Sequence, residues 1–274
     1  GVAGIAGGCS VMPLKVANEE GETNSLHIFQ AINYAVNQGA RVINISLGGR
    51  GLSKLEDTAV AYARSKGVFV AVAAGNVGEN IGLHGPASSP GAFVVGAMDY
   101  AGTRSTISNE GPNNGLIAPG EMIYSLRSID SWRKGRDSKD SKEYYAQSGT
   151  SFSTPMVAAT ASLLLAKNPN LTREQVEDIL MNTSKDLYTK GWDDESGGGL
   201  LNAAQALRAA PDGLFTTKVT ALRINRDDRG RVASVDVFGT VRELFSEYQV
   251  GVGKGKHASK FKPVAGPFIQ PVED

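Results

Sequence analysis

The strongest constraint on this chain is an alternation of short apolar runs with helix-period segments over its first two hundred or so residues. SVMPLKVA, ARVINISLG and GVFVAVAAG are Val- and Ile-rich runs closed by Gly or Asn, and they read as buried strands. Between them, SLHIFQAINYAVNQG sets Leu26, Phe29, Ile32 and Ala35 at helical spacing, with Ser25 as the expected cap and Gly39 as the stop. SKLEDTAVAYARSKG carries Ser53 and Glu56 at capping-box spacing and stops at Gly67. Strand, helix, strand, helix, strand predicts a parallel sheet flanked by helices, an α/β fold. In such sheets, sites gather at the carboxyl ends of the strands.

AFVVGAM comes next as a further strand, then IAPGEMIYSL, then a stretch from Arg127 to Glu143 with six basic and four acidic residues. That charge mixture reads as a solvated loop; a substrate-selecting role is the alternative. TSFSTPMVAATASLLLAKN is a long apolar helix in which Pro155 is tolerable only near the first turn. LTREQVEDILMNTS brings a capping box, Thr172 with Gln175, and GGGLLNAAQALRAA a Gly-rich turn and a short helix. After Pro211 the pattern turns to near period two in TTKVTALRIN, RVASVDVFG and EYQVGVG, the signature of antiparallel strands. The expected organisation is therefore an α/β domain over 1–212 and a small, sandwich-like all-β module over 213–274.

Composition narrows the function. The 28 basic and 28 acidic residues balance, which argues against a nucleic-acid binder relying on broad positive charge. No apolar stretch reaches the roughly 18 residues of a membrane span. The opening GVAGIAGG lacks the basic flank of a signal peptide. The single cysteine, Cys9, excludes an intrachain disulfide and reads as a small buried hydrophobe. Nothing in the sequence sets an oligomeric state. GVAGIAGG, GVGKGK and GGGL lack the strand, helix and Lys-Ser/Thr context of phosphate loops, and turns account for them.

SGTSFSTPMVAAT, residues 148–160, carries the chemistry. Ser151 stands at the head of the apolar helix, where free N–H groups and the positive dipole end favour nearby negative charge. It reads either as a helix cap or as a nucleophile with an oxyanion donor beside it. Asn76 ends FVAVAAGN at the carboxyl end of a buried strand, where a side-chain amide can donate to a developing oxyanion; a turn residue is the plainer alternative.

Together these segments resemble the subtilisin-like serine proteases. SGTSFSTPMVAATASLLLAKNPNLT is similar to the family's nucleophile motif, ARVINISLGG to its substrate-binding edge and VAVAAGN to its oxyanion strand; IAPGEMIYS and GGGLLNAAQAL come in the family's order. The resemblance implies that Ser151 is the nucleophile of a serine endopeptidase and that Asn76 and the Ser151 N–H form the oxyanion hole. It implies that Ser46, Leu47, Gly48 and Gly49 pair with extended polypeptide substrate. It also implies that Ala73, Ala74 and Gly75 wall the pocket for the residue before the scissile bond. It implies no organic cofactor, allows structural calcium, and points to a secreted or extracytoplasmic protein. Asp193, Asp194 and Glu195 are a candidate cation cluster, with a surface turn as the alternative.

One departure is large. The family's order is Asp, His, then Ser, and His27, His84 and His257 all stand where the family has no base. GVAGIAGG is similar to the segment just after the family's His-Gly-Thr motif, so the expectation is a chain whose Asp and His lie upstream and which is inert alone. The alternative is a non-catalytic pseudoprotease kept as a binding scaffold. An α/β-hydrolase esterase fits poorly, because Gly149-Thr150-Ser151-Phe152-Ser153 lacks the second Gly of the elbow.

Overall fold

The computed structural model describes residues 2–126 and 144–209, and beyond them the backbone of strands within 216–226, 232–242, 248–253 and 261–268. The chain divides into two compact units, Gly1–Arg208 and Ala209–Asp274.

In chain order the first unit contains α1 (Ser25–Asn37), β1 (Val42–Ile45), β2 (Gly49–Arg50), α2 (Lys54–Ser65), β3 (Phe69–Ala73), β4 (His84–Gly85), β5 (Phe93–Met98), β6 (Asn114–Pro119), β7 (Ile123–Leu126), β8 (Tyr144–Gln147), α3 (Thr150–Lys167), α4 (Arg173–Asn182) and α5 (Ala203–Arg208). Four strands form a parallel sheet in the order β1-β3-β5-β6. Every residue of β3 is buried, because helices cover both faces. Val70, Val72 and Ala74 alternate onto one face and pack with Ile28 and Ile32 of α1 and Ala59, Val60 and Ala63 of α2. On the sheet α3 crosses all four strands. It buries Val157, Ala158, Ala161, Leu164 and Leu165, together with Thr150, Ser153 and Thr154 of its first turns. Gly39 and Gly67 come after α1 and α2 at φ +83° and +74°, the left-handed geometry that ends helices. The Thr172–Gln175 capping box forms at the start of α4.

Two small ladders complete the unit: β2 pairs antiparallel with β4, and β7 with β8. The second unit contains β9 (Thr216–Arg226), β10 (Val232–Arg242), β11 (Tyr248–Gly253) and β12 (Phe261–Phe268), paired antiparallel as β9 with β10 and β11 with β12.

Four local expectations are corrected. SVMPLKVA is not a strand: residues 11–17 join no ladder, and Val11 is 85% exposed. An apolar run becomes a strand only when its backbone finds a ladder partner, and among the described residues no strand lies beyond β1 on that side. Ser25 is not the cap of α1. Asn24 is, its Oδ1 accepting from His27 N at 3.0 Å. Nor do Ser53 and Glu56 form a capping box, since Ser53 makes no side-chain cap bond. The last two misses share one cause: Ser25 Oγ donates to the buried Glu56 carboxylate at 2.8 Å, so a tertiary partner takes both side chains. Cys9, finally, is half-buried rather than buried. The stretch from Arg127 to Glu143 and His257 lie outside the described residues.

Candidate active site

The carboxyl end of β3 and the amino end of α3 meet, and the meeting is specified atom by atom. Gly149 caps α3 at φ +153°, a region that disfavours side chains, and a Cβ there would lie 3.1 Å from Asn76 Nδ2. Thr150, fully buried, donates its N–H to Asn76 Oδ1 at 2.8 Å and its hydroxyl to the same oxygen at 2.9 Å. Thr150 Oγ1 also accepts from Gly75 N at 3.2 Å. Two donors on one amide oxygen fix which way the Asn76 amide faces. Its Nδ2 then remains a donor with no intramolecular acceptor among the described residues.

The turn after β3 is braced from behind by Asn109, also fully buried. Its Nδ2 donates to Ala74 O at 2.9 Å, and its Oδ1 accepts from Val77 N at 3.2 Å and Glu79 N at 2.9 Å. Gly75 sits against it at φ +105°, and a Cβ there would collide with the Asn109 amide.

Ser151 is the second residue of α3, so its N–H has no carbonyl four residues back and stays available. Its hydroxyl donates to Ser46 O at 3.2 Å, and Ser46 Oγ donates to Ser151 O at 3.0 Å. The second bond has a covalent cause. Pro155 lacks the N–H that would reach the Ser151 carbonyl, and Ser46 supplies the missing donor. Pro155 stands past the first turn, deeper in the helix than the sequence suggests, and this replacement bond makes the position tolerable. The neighbouring serines serve structure. Ser148 Oγ accepts from Met122 N at 3.0 Å, and buried Ser153 Oγ reaches Ala118 O and Pro119 O at 3.0 and 3.1 Å.

Leu47, Gly48, Gly49, Ala73, Ala74, Gly75, Asn76 and Ser151, all singled out in the sequence, line one cleft of about 490 Å³, and Ser46 joins it through its bonds to Ser151. The sequence reading missed Thr150 and Asn109, whose hydrogen bonds orient the cleft, and Arg50, Glu79 and His84, which line it. Thr150 sits inside the quoted motif, but Asn109 lies in a polar loop with no periodic signal. His84 is buried, with Nε2 placed 2.9 Å from Glu79 Oε2. His27 is exposed on α1.

Among the described residues no group of three or more His, Cys, Asp or Glu side chains is placed to hold a metal ion. Buried Asp193 accepts from Glu195 N, Ser196 N and Ser196 Oγ, so the 193–195 cluster caps its own turn and does not fit a cation. No described helix is long and apolar enough to cross a membrane.

This geometry has relatives. The subtilase family (peptidase S8) matches residues 1–199. The alkaline elastase YaB of Bacillus sp. is 34% identical over 209 residues, covering 76% of this chain and 51% of that protein. The cell wall-associated protease of Bacillus subtilis is 36% identical over 232 residues, 76% of this chain and 24% of that protein. Subtilisin Savinase of Lederbergia lenta is 33% identical, with 71% of its length spanned. The chain thus spans about half, or less, of the first two. Among solved structures, a lanthipeptide protease superposes with a TM-score of 0.66 at 29% identity, covering 74% of this chain and 71% of that one. A protease from Pseudoalteromonas arctica superposes at 0.65 and 30% identity, covering 76% and 65%. With its parallel sheet, its Ser151–Asn76 corner and a family match across most of its length, the chain belongs to the subtilase family of serine peptidases.

Proposed function

We propose that this chain supplies the nucleophile, the oxyanion donors and the substrate-binding edge of a serine endopeptidase, with Ser151 as nucleophile. The observation that carries the reading is the corner itself: the Ser151 hydroxyl heads α3 beside an Asn76 amide whose oxygen is fully engaged and whose Nδ2 is left to donate. Attack by Ser151 Oγ on a peptide carbonyl develops negative charge on its oxygen, and Asn76 Nδ2 and the Ser151 N–H are the donors offered to it. Leu47, Gly48 and Gly49 would align extended substrate beside the cleft, and Ala73, Ala74 and Gly75 would wall the side chain before the scissile bond.

The general base belongs to sequence upstream of Gly1, in the intact protein of which this chain is a part. Supporting this, the Ser151 hydroxyl donates to a backbone carbonyl, and the described histidines are engaged elsewhere: His84 with Glu79, His27 on an exposed helix face. A serine without a proton acceptor is a poor nucleophile, so this chain by itself is inert. The antiparallel strands of 213–274 act as a small accessory module. The kinship with subtilisins supports polypeptide substrates and action outside the cytoplasm.

A fluorophosphonate probe tests the reading. The intact protein labels rapidly at Ser151, Ser151→Ala abolishes the label, and the 274-residue chain labels slowly or not at all. Rapid labelling of the chain alone overturns the assignment of the base. An intact protein that resists the probe overturns the peptidase reading in favour of a binding scaffold.

A further inference from the structure

The cleft has charged walls. Among its lining residues Arg50, Glu79 and His84 are the only titratable side chains, set among Ala73, Ala74 and Gly85, which leave room for a long substrate side chain. The three side chains are not equally fixed. Glu79 is held through its backbone, its N–H on Asn109 Oδ1 at 2.9 Å and its carbonyl accepting from Glu110 N at 3.1 Å. Its carboxylate is held by His84, whose side chain is only 9% exposed. Arg50 reaches the other carboxylate oxygen at 3.3 Å from a side chain that is 71% exposed. Such exposed pairs contribute little and exchange readily. A second carboxylate stands behind the wall. Glu56 is buried against Gly85, where a Cβ would collide with its Oε2, and it forms no ion pair among the described residues. One carboxylate therefore lines the cleft against His84 and a second stands behind its wall, while Arg50, the permanently cationic side chain of the lining, sits on the exposed rim.

We propose that this cleft takes a lysine or arginine side chain at the substrate position before the scissile bond, and that Glu79 selects it. The proposal rests on the peptidase reading above and gives that site its substrate class. A cationic side chain entering between the small residues meets the Glu79 carboxylate and displaces Arg50 to solvent. An acidic side chain meets the Glu79 carboxylate, with Glu56 adding like charge from behind the wall, and an apolar one leaves Glu79 desolvated without gain. Arg50 is then a competitor for the carboxylate, and its removal strengthens the preference.

The test compares kcat/KM of the intact protein on otherwise identical peptides with Arg, Lys, Leu or Glu before the cleaved bond. Arg and Lys peptides are expected to exceed Leu and Glu peptides by at least about tenfold. Glu79→Gln, which keeps the shape and an acceptor for His84, removes that preference, and Arg50→Ala raises it. Equal or better cleavage after Leu or Glu overturns the inference, as does a preference untouched by Glu79→Gln. Calorimetry on the intact Ser151→Ala protein adds a readout free of turnover, with product peptides ending in Arg or Leu. Tighter binding of the Arg product, lost in the Glu79→Gln background, upholds the inference; equal binding overturns it. Cleavage of no peptide at all overturns the peptidase reading separately.

Discussion

Thr150 gives both of its donors to one atom, Asn76 Oδ1, at 2.8 Å from the backbone and 2.9 Å from the hydroxyl. The Thr150 hydroxyl is also the acceptor for Gly75 N. One buried side chain thereby ties the end of β3 to the start of α3 and sets the direction of the Asn76 amide. Thr150→Val keeps the volume and removes the hydroxyl, leaving Gly75 N–H without its acceptor and Asn76 Oδ1 with the Thr150 N–H as its one remaining donor, a looser hold on the amide. The expected cost is about 1–3 kcal/mol in urea unfolding. In the intact protein kcat falls while KM holds, because the misplaced donor serves the oxyanion and not the bound peptide. Thr150→Ser restores both.

Asn109 is the brace behind that corner. Its amide closes three hydrogen bonds to Ala74, Val77 and Glu79, from a site with no exposed surface. Asn109→Ala removes all three and opens a void, with an expected loss of about 2–4 kcal/mol. Hydrogen exchange is the discriminating measurement. Protection at Val77 and Glu79 drops further than at Val70 or Val72, which the sheet ladder holds independently.

Asp99 gives a prediction in pH. Its carboxylate accepts from Thr103 N and Thr103 Oγ1 and from Ala101 N, and the Thr103 bonds lead in holding its pKa below the ordinary aspartate value. A carboxylate lowered on folding adds stability above its unfolded pKa and loses it as pH falls through the folded one. An NMR titration should place the Asp99 midpoint below that of an ordinary aspartate. Thr103→Val, which removes the hydroxyl donor, should move the midpoint upward; an unmoved midpoint contradicts the assignment of cause.

The sheet and the corner were legible in the sequence because their signals are local. FVAVAAGN is a continuous apolar run closed by Gly and Asn, and it forms β3 and its turn. Thr172 and Gln175 satisfy a capping box within one turn of chain. Illegible features are those settled between distant segments. Ser25 and Glu56 look like caps, yet they bond each other 31 residues apart. Val11 and Leu14 look like part of a buried strand, yet residues 11–17 join no ladder. Asn109 and Glu79 belong to loops, where no periodicity announces which polar residue will turn inward. The charged wall of the cleft was unreadable for the same reason, since it is assembled from β2, α2, β4 and the turn after β3.

Ser46 and Ser151 exchange hydroxyl-to-carbonyl bonds at 3.0 and 3.2 Å, and Pro155 explains half of the exchange. An interior proline leaves the carbonyl four residues earlier without its helical donor. Here that carbonyl belongs to Ser151, and Ser46 Oγ fills the gap from across the fold. Ser46→Ala should therefore cost about 1 kcal/mol by orphaning the Ser151 carbonyl. Pro155→Ala restores the backbone N–H, so the carbonyl regains a partner whether or not Ser46 is present. In a double-mutant cycle, Ser46→Ala should cost measurably less in the Pro155→Ala background than in the parent, with a coupling of about 0.5–1 kcal/mol. Additive costs would show that Ser46 acts elsewhere than on the Ser151 carbonyl. In the intact protein, the same cycle on labelling rate asks whether this support also sets the position of the nucleophile. If it does, Ser46→Ala slows labelling and Pro155→Ala recovers part of the loss.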